Sequence, residues 1–183
     1  PGKYTLTLKA GDQTATTTVE VLPNPLYPTD AKTYQEYHAL MSRLEAEVAK
    51  MHRMVNALHA KREQLEGLLS TLPAEEKYSA LKKDGQALVQ RMKAWDEDMV
   101  QRKSKAYDDV ENFPNKFTAN YLFMINHNES DIPRINQPTL DRLAELKPEW
   151  TALEARGQEL LEKELPGMNK RFWELGVGAV WKE

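Results

Sequence analysis

From Tyr34 onward, alternating steps of three and four residues land on Tyr34, Tyr37, Met41, Leu44, Val48, Met51, Val55, Leu58, Arg62, Leu65, Leu69 and Leu72. Only Arg62 interrupts this apolar and aromatic run. The mean step of roughly 3.5 residues is the coiled-coil spacing and keeps one narrow stripe on one side of a helix. No Gly or Pro falls between Pro28 and Gly67 to break it. Thr29 or Asp30 supplies a capping oxygen at the start, and Leu72-Pro73 ends the run, because the residue before a proline avoids helical backbone. One helix over Asp30 to Leu72 is on the order of 60 Å long. A rod of that length with one apolar edge needs partner helices to be stable in water.

Later segments supply candidates. Tyr78, Leu81, Gly85, Leu88, Met92, Trp95, Met99, Arg102 and Ala106 repeat the same alternation, which fades over Asp108 to Asn112 and stops at Phe113-Pro114. Joined to the first helix by the short turn at Pro73-Ala74, this second helix is expected to run antiparallel to it. Lys116 to Asn126 carries Phe117, Tyr121, Leu122, Phe123, Met124 and Ile125 and reads as a short, largely buried helix, with a loop over Asn126 to Asn136. A third stripe runs through Leu143, Leu146, Trp150, Leu153, Gly157, Leu161, Leu165, Met168, Phe172 and Leu175. Pro138 suits its first turn. Pro148 is expected to kink or restart the helix, and Pro166-Gly167 to break it again. The tail from Gly176 to Glu183, with Val180-Trp181, reads as a short extended piece.

The first 22 residues differ in kind. Tyr4, Leu6 and Leu8 alternate with polar residues, Thr14 to Val21 is rich in Thr and Val, and Ala10-Gly11-Asp12-Gln13 is a turn between them. This is a β-hairpin with one apolar face, and a lone hairpin is marginal in water. Pro-Gly-x-Tyr-x-Leu-x-Leu, the turn and the Thr/Val-rich strand resemble the last two strands of an immunoglobulin-like or fibronectin-type sandwich, the rest of which would lie upstream; the alternative is a hairpin packed on the helices. The predicted organisation is a hairpin over 1–22, a stiff Pro-rich linker over 23–29 and a helical bundle over 30–183: mainly α, with three long antiparallel helices and a short one.

Composition agrees. Charged residues make up 29% and Gly is scarce, with 8 in 183 residues, a helix-rich balance. The net charge of −3 and the lack of a dense basic stripe argue against a nucleic-acid partner. No apolar run approaches the ~20 residues of a membrane span. The absence of cysteine excludes disulfides and thiol chemistry. The opening Pro1-Gly2-Lys3-Tyr4 reads as a segment of a longer protein.

His52 and His59 share a helix face, but about 10 Å of rise separates them, and no Glu-x-x-His pair accompanies them; His38 and His127 stand apart. Asp96, Glu97 and Asp98, and Asp108 and Asp109, have the carboxylates that glycoside hydrolysis uses, at spacings of a solvated helix face. Trp95, Trp150, Phe172 and Trp173 either line a ligand groove or fill a core. Arg62 and Arg102, the two charges at seam positions, either pair with acidic neighbours or mark where the seams surface. Asn128-Glu129-Ser130 fits a glycosylation sequon. No P-loop, dinucleotide fingerprint or nucleophile elbow occurs. No catalytic, cofactor-binding or metal-ligating residue is assigned.

The sequence nevertheless resembles a known arrangement. Phe113-Pro114-Asn115-Lys116-Phe117, then Gln137-Pro138-Thr139 leading to Leu143-Ala144-Glu145-Leu146-Lys147-Pro148-Glu149-Trp150, then Leu165-Pro166-Gly167-Met168-Asn169, look like the C-terminal tail of large exported bacterial β-propeller proteins with sortilin-like or BNR-type repeats, often labelled glycosyl hydrolases. There a sandwich ending in Gly-x-Tyr-x-Leu-x-Leu is followed by a Pro-rich link and a helical tail. Pro148 departs from the small or polar residue commoner at that position. The resemblance implies an exported, non-catalytic accessory module that contacts neighbouring domains of its parent, whose reactive residues lie elsewhere. The alternative is a coiled-coil module that dimerises or binds protein partners through its seams.

Overall fold

The computed structural model describes residues 1–180, with the backbone alone for Tyr107 and Val110. Two strands, β1 (Gly2–Ala10) and β2 (Gln13–Val21), pair antiparallel in the register Tyr4↔Val19, Leu6↔Thr17 and Leu8↔Ala15. Gly11 turns the chain at φ +59°. As the first central residue of a two-residue loop, it holds the left-handed backbone that glycine adopts without a Cβ clash. Helices follow: α1 (Ala31–Thr71), α2 (Ser79–Met99), α3 (Phe117–Glu129), α4 (Gln137–Glu159) and α5 (Leu165–Glu174).

The chain is mainly α, and the helices form three legs. The first is α1. Asp30 caps it, accepting from the Thr33 backbone N–H at 2.7 Å. The predicted stripe is its buried face, with Leu44, Met51, Leu58 and Leu65 all at 1% exposure or less, although Tyr34 and Tyr37 at the open end are only half-buried. The second leg is a composite. The α2 helix runs back along α1, placing Gly85 against Leu69 and Trp95 beside Met54. It ends at Met99, short of the predicted limit at Asp108 to Asn112. Past Met99 the sequence Gln101-Arg102-Lys103-Ser104-Lys105 has nothing apolar to bury. Val100 turns extended, and the buried Thr118 hydroxyl satisfies the freed Met99 carbonyl at 2.9 Å. The leg is completed by α3: Thr118 lies beside Met99, and the Tyr37 hydroxyl donates to the Asn128 carbonyl at 3.2 Å. Thus α1 stays covered although α2 is short. Contrary to expectation, α3 is buried on one face alone; Leu122 and Phe123 are 41% and 68% exposed, and the helix persists to Glu129.

The third leg is continuous from Gln137 to Glu174. Asn136 caps it through the Thr139 N–H at 2.8 Å. Pro148 sits inside α4 without restarting it. Nor does Pro166-Gly167 break the leg. A π-helical turn over Leu160–Glu164 precedes the proline, with the Leu165 N–H bonding five residues back to the Leu160 carbonyl. The wider turn relieves the crowding that the proline ring imposes on the preceding turn. It also shifts the stripe: Leu160 is buried at 2%, Leu161 is half-buried, and the next buried residue is Leu165. The leg ends in a Schellman motif, with Gly176 at φ +70°, Val177 N–H to Phe172 O at 2.9 Å and Gly176 N–H to Trp173 O at 3.0 Å. The tail then docks on α5, since Asn169 holds the Val180 backbone through both its N–H (2.9 Å) and its carbonyl (2.7 Å). Trp181, Lys182 and Glu183, the rest of the tail expected to be extended, lie outside the described residues.

The hairpin is different. Tyr4, Leu6 and Leu8 are 51%, 53% and 71% exposed, so the bundle does not cover its apolar face.

Candidate functional site

The carboxylates expected on one solvated face are dispersed by the fold. Asp96 is 3% exposed. Both its oxygens accept from Arg102, Oδ2 from Nε and Oδ1 from Nη2 at 2.5 Å. The pair forms because the chain doubles back after Met99; six residues apart on a continuous helix, the two side chains would not face each other. Hydrogen bonding to Asp96 raises the Arg102 pKa above its already high ordinary value. Asp98 points the other way and accepts from Arg156 of α4 at 2.5 Å, both side chains about half-exposed. Glu97 lies 3.9 Å from Lys93 at the surface. Asp109 accepts the Lys105 and Ala106 backbone N–H groups at 2.6 and 2.9 Å, which holds its carboxyl below the usual range. It is a turn anchor, not half of an acid–base pair.

His59 Nδ1 faces Arg62 Nη2 at 3.1 Å and its Nε2 lies 3.3 Å from Glu63. His52 is half-buried on the same face, while His38 is exposed and so is His127, whose ring stacks on Phe123 at 5.8 Å. Among the described residues no three His, Asp or Glu side chains gather at metal-binding distance. Trp95, fully buried, donates its indole N–H to the Leu153 carbonyl at 2.7 Å. Trp150 stacks on Phe117 at 5.9 Å and donates to Glu47 at 2.8 Å. Together with fully buried Phe172 these are core. Trp173 is 78% exposed and lines no groove with them. Asn128 is 1% exposed, its amide nitrogen donating to Met124 O and Thr139 Oγ1. Burial removes the sequon asparagine from the reach of glycosylation in the folded chain.

What the fold does assemble is a cleft where the second leg changes from α2 to α3. It has a volume of about 340 Å³. Its cations are Arg62, Lys93, Arg102, Lys103 and Lys116; its carboxylates are Asp96 and Glu97; its apolar wall is Val100, Phe113 and Pro114. Gln101 ties the walls by donating to the Pro114 carbonyl at 3.0 Å. Arg62 and Arg102 were visible as interruptions of the two stripes. Lys103, Lys116 and Phe113 were not, because only the excursion of the chain between α2 and α3 brings them together. Cations outnumber carboxylates five to two along the cleft. No helix among the described residues is long and apolar enough to cross a membrane.

Comparison with models of known protein families, with curated proteins and with solved structures gave no match.

Proposed function

We propose that the chain is a non-catalytic accessory module, the sandwich end and helical tail of a larger exported protein of the sortilin-like, BNR-repeat β-propeller kind, and that its bundle holds neighbouring domains of that parent in place. The observation that carries this reading is the bare face of the hairpin beside a bundle whose own stripes are buried over most of their length. Tyr4, Leu6, Leu8 and Val21, each at least 50% exposed, form the inward face that a second sheet would cover. The stiff link through Pro23, Pro25 and Pro28 would then fix the angle between sandwich and bundle.

Hydrogen exchange tests this. With the residues that precede Pro1 in the full-length protein restored, the amides of Leu6 and Leu8 are expected to gain strong protection. Unchanged exchange there removes the sandwich reading. Light scattering addresses dimerisation through the seams. Because α1 is covered by the other two legs, a monomer is expected at all concentrations, and a concentration-dependent dimer favours the coiled-coil module instead. Turnover of chromogenic glycosides that disappears in Asp98→Ala would overturn the non-catalytic assignment.

A further inference from the structure

We propose that the cleft at the junction of α2 and α3 is a binding site for a small organic anion, an acidic head group on a flat apolar body. Three independent features lead there.

The first is Arg62. Its side chain keeps 16% exposure, and its Nε–H is buried without an acceptor. A buried charged donor left unpaired is costly. Its Nη2 faces His59 Nδ1 at 3.1 Å, which leaves the Nε–H without an acceptor. Glu66 of α1 stays 4.0 Å away, beyond hydrogen-bond range. An anion entering the cleft supplies the missing acceptor once the guanidinium turns toward it.

The second is charge. Five cations line the cleft against two carboxylates in a chain whose net charge is −3. Arg102 is committed to Asp96, and Lys93 has Glu97 at 3.9 Å. Lys103, Lys116 and the unpaired Nε–H of Arg62 remain for a ligand. A positive hollow on a negative molecule concentrates small anions at that place.

The third is the wall. Val100, Phe113 and Pro114 face the cations. An inorganic ion would leave that surface bare, whereas a flat aryl body would cover it. The volume of about 340 Å³ falls at the small end of ligand sites, which combine apolar lining with a few convergent polar groups.

The test uses the whole chain with benzoate, phenyl phosphate, inorganic phosphate and benzamidine, followed by NMR titration of backbone amides and of the Arg62 Nε–H. At least one phenyl anion is expected to bind, shifting the signals of Val100, Gln101 and Lys116 and slowing exchange of the Arg62 Nε–H. Lys103→Gln with Lys116→Gln, both outside the core, is expected to weaken that binding roughly tenfold, as the loss of about 1.4 kcal/mol of attraction would. Arg62→Met is expected to abolish it, with unchanged circular dichroism confirming the fold. The proposal is overturned if neither phenyl anion binds, if benzamidine binds as tightly as benzoate, or if the double lysine variant binds normally. Equal binding of inorganic and phenyl phosphate also overturns it, because the apolar wall would then contribute nothing.

Discussion

Leu8 on the hairpin is 71% exposed, whereas Leu44 on α1 has no exposed surface. Both lie on apolar stripes with the correct period for their element, two residues in the strand and about 3.6 in the helix. The difference lies in what the same chain can bring to cover them. The first helix is 41 residues long, and the second leg covers it in two pieces. The hairpin has two strands and no layer behind it. An apolar stripe therefore specifies that a partner exists, and the topology decides whether that partner is in the same chain.

Substitutions can break or sharpen this contrast. The largest effect is expected in the bundle. Trp95→Ala removes a fully buried ring and its bond to Leu153 O, and should cost about 3–5 kcal/mol in urea unfolding followed at 222 nm. Leu8→Ala should cost below ~0.5 kcal/mol in the same assay; a loss comparable to Trp95→Ala would mean the hairpin face is covered after all.

Glycines give a contrast of sign within the bundle. At Gly157 an added Cβ would lie 2.5 Å from Met54 Sδ and 2.9 Å from the Trp95 ring, whereas at Gly67 it would meet nothing within 4 Å. Gly157→Ala is expected to destabilise by about 1–3 kcal/mol through overpacking. Gly67→Ala is expected to stabilise by about 0.5–1 kcal/mol through helix propensity. Two gains would show that the legs are loosely packed at Trp95.

Ion pairs divide by burial. Asp96→Asn should cost about 1.5 kcal/mol, since it weakens charged hydrogen bonds at a carboxylate that is 3% exposed, although Arg102 is partly solvated. Asp98→Asn should change stability by less than ~0.5 kcal/mol, because that pair with Arg156 stands in water. The smallest effect concerns the junction of linker and bundle. Hydrogen bonds from the Thr33 backbone and hydroxyl lower the Asp30 pKa. Its folded value lies below its unfolded one, so the contribution is complete above the ordinary carboxylate range and disappears as pH falls through the lowered value. Exchange of the Thr33 and Tyr34 amides should accelerate over that acid window, and Asp30→Asn, a capping residue without charge, should abolish the dependence.

The architecture was legible where period and burial agree. The stripe from Tyr34 named the face of α1 that is buried, and the short Pro73 turn gave the reversal into α2. The end of α2 was not legible. Arg102 and Ala106 continue the spacing past Met99, and the helix stops because polar residues follow and a hydroxyl from Thr118, 19 positions on, accommodates the free carbonyl. Burial of Asp96 was hidden for the same reason, since its partner reaches it only after the chain doubles back. Steps of four from Gly157 placed Leu161 and then Leu165 on the core stripe, where the structure uses Leu160 and bridges to Leu165 through the π turn. Of the cleft, the sequence showed the two interrupting arginines; its lysines and its wall come from the excursion between α2 and α3.

The π turn at Leu160–Glu164 has a consequence for length variation. It holds one residue more than a regular coil needs, next to a proline that profits from the slack. Dropping a single residue there, such as Leu161, would tighten the rod while leaving Leu153 and Gly157 before it, and Met168 and Phe172 after it, facing inward, provided Pro166 is replaced as well. The same excision one turn earlier would rotate every downstream contact by about 100° and unseat the docked tail. Of all the places in the third leg, this loosened turn is the one where the chain can lose a residue and still close its core.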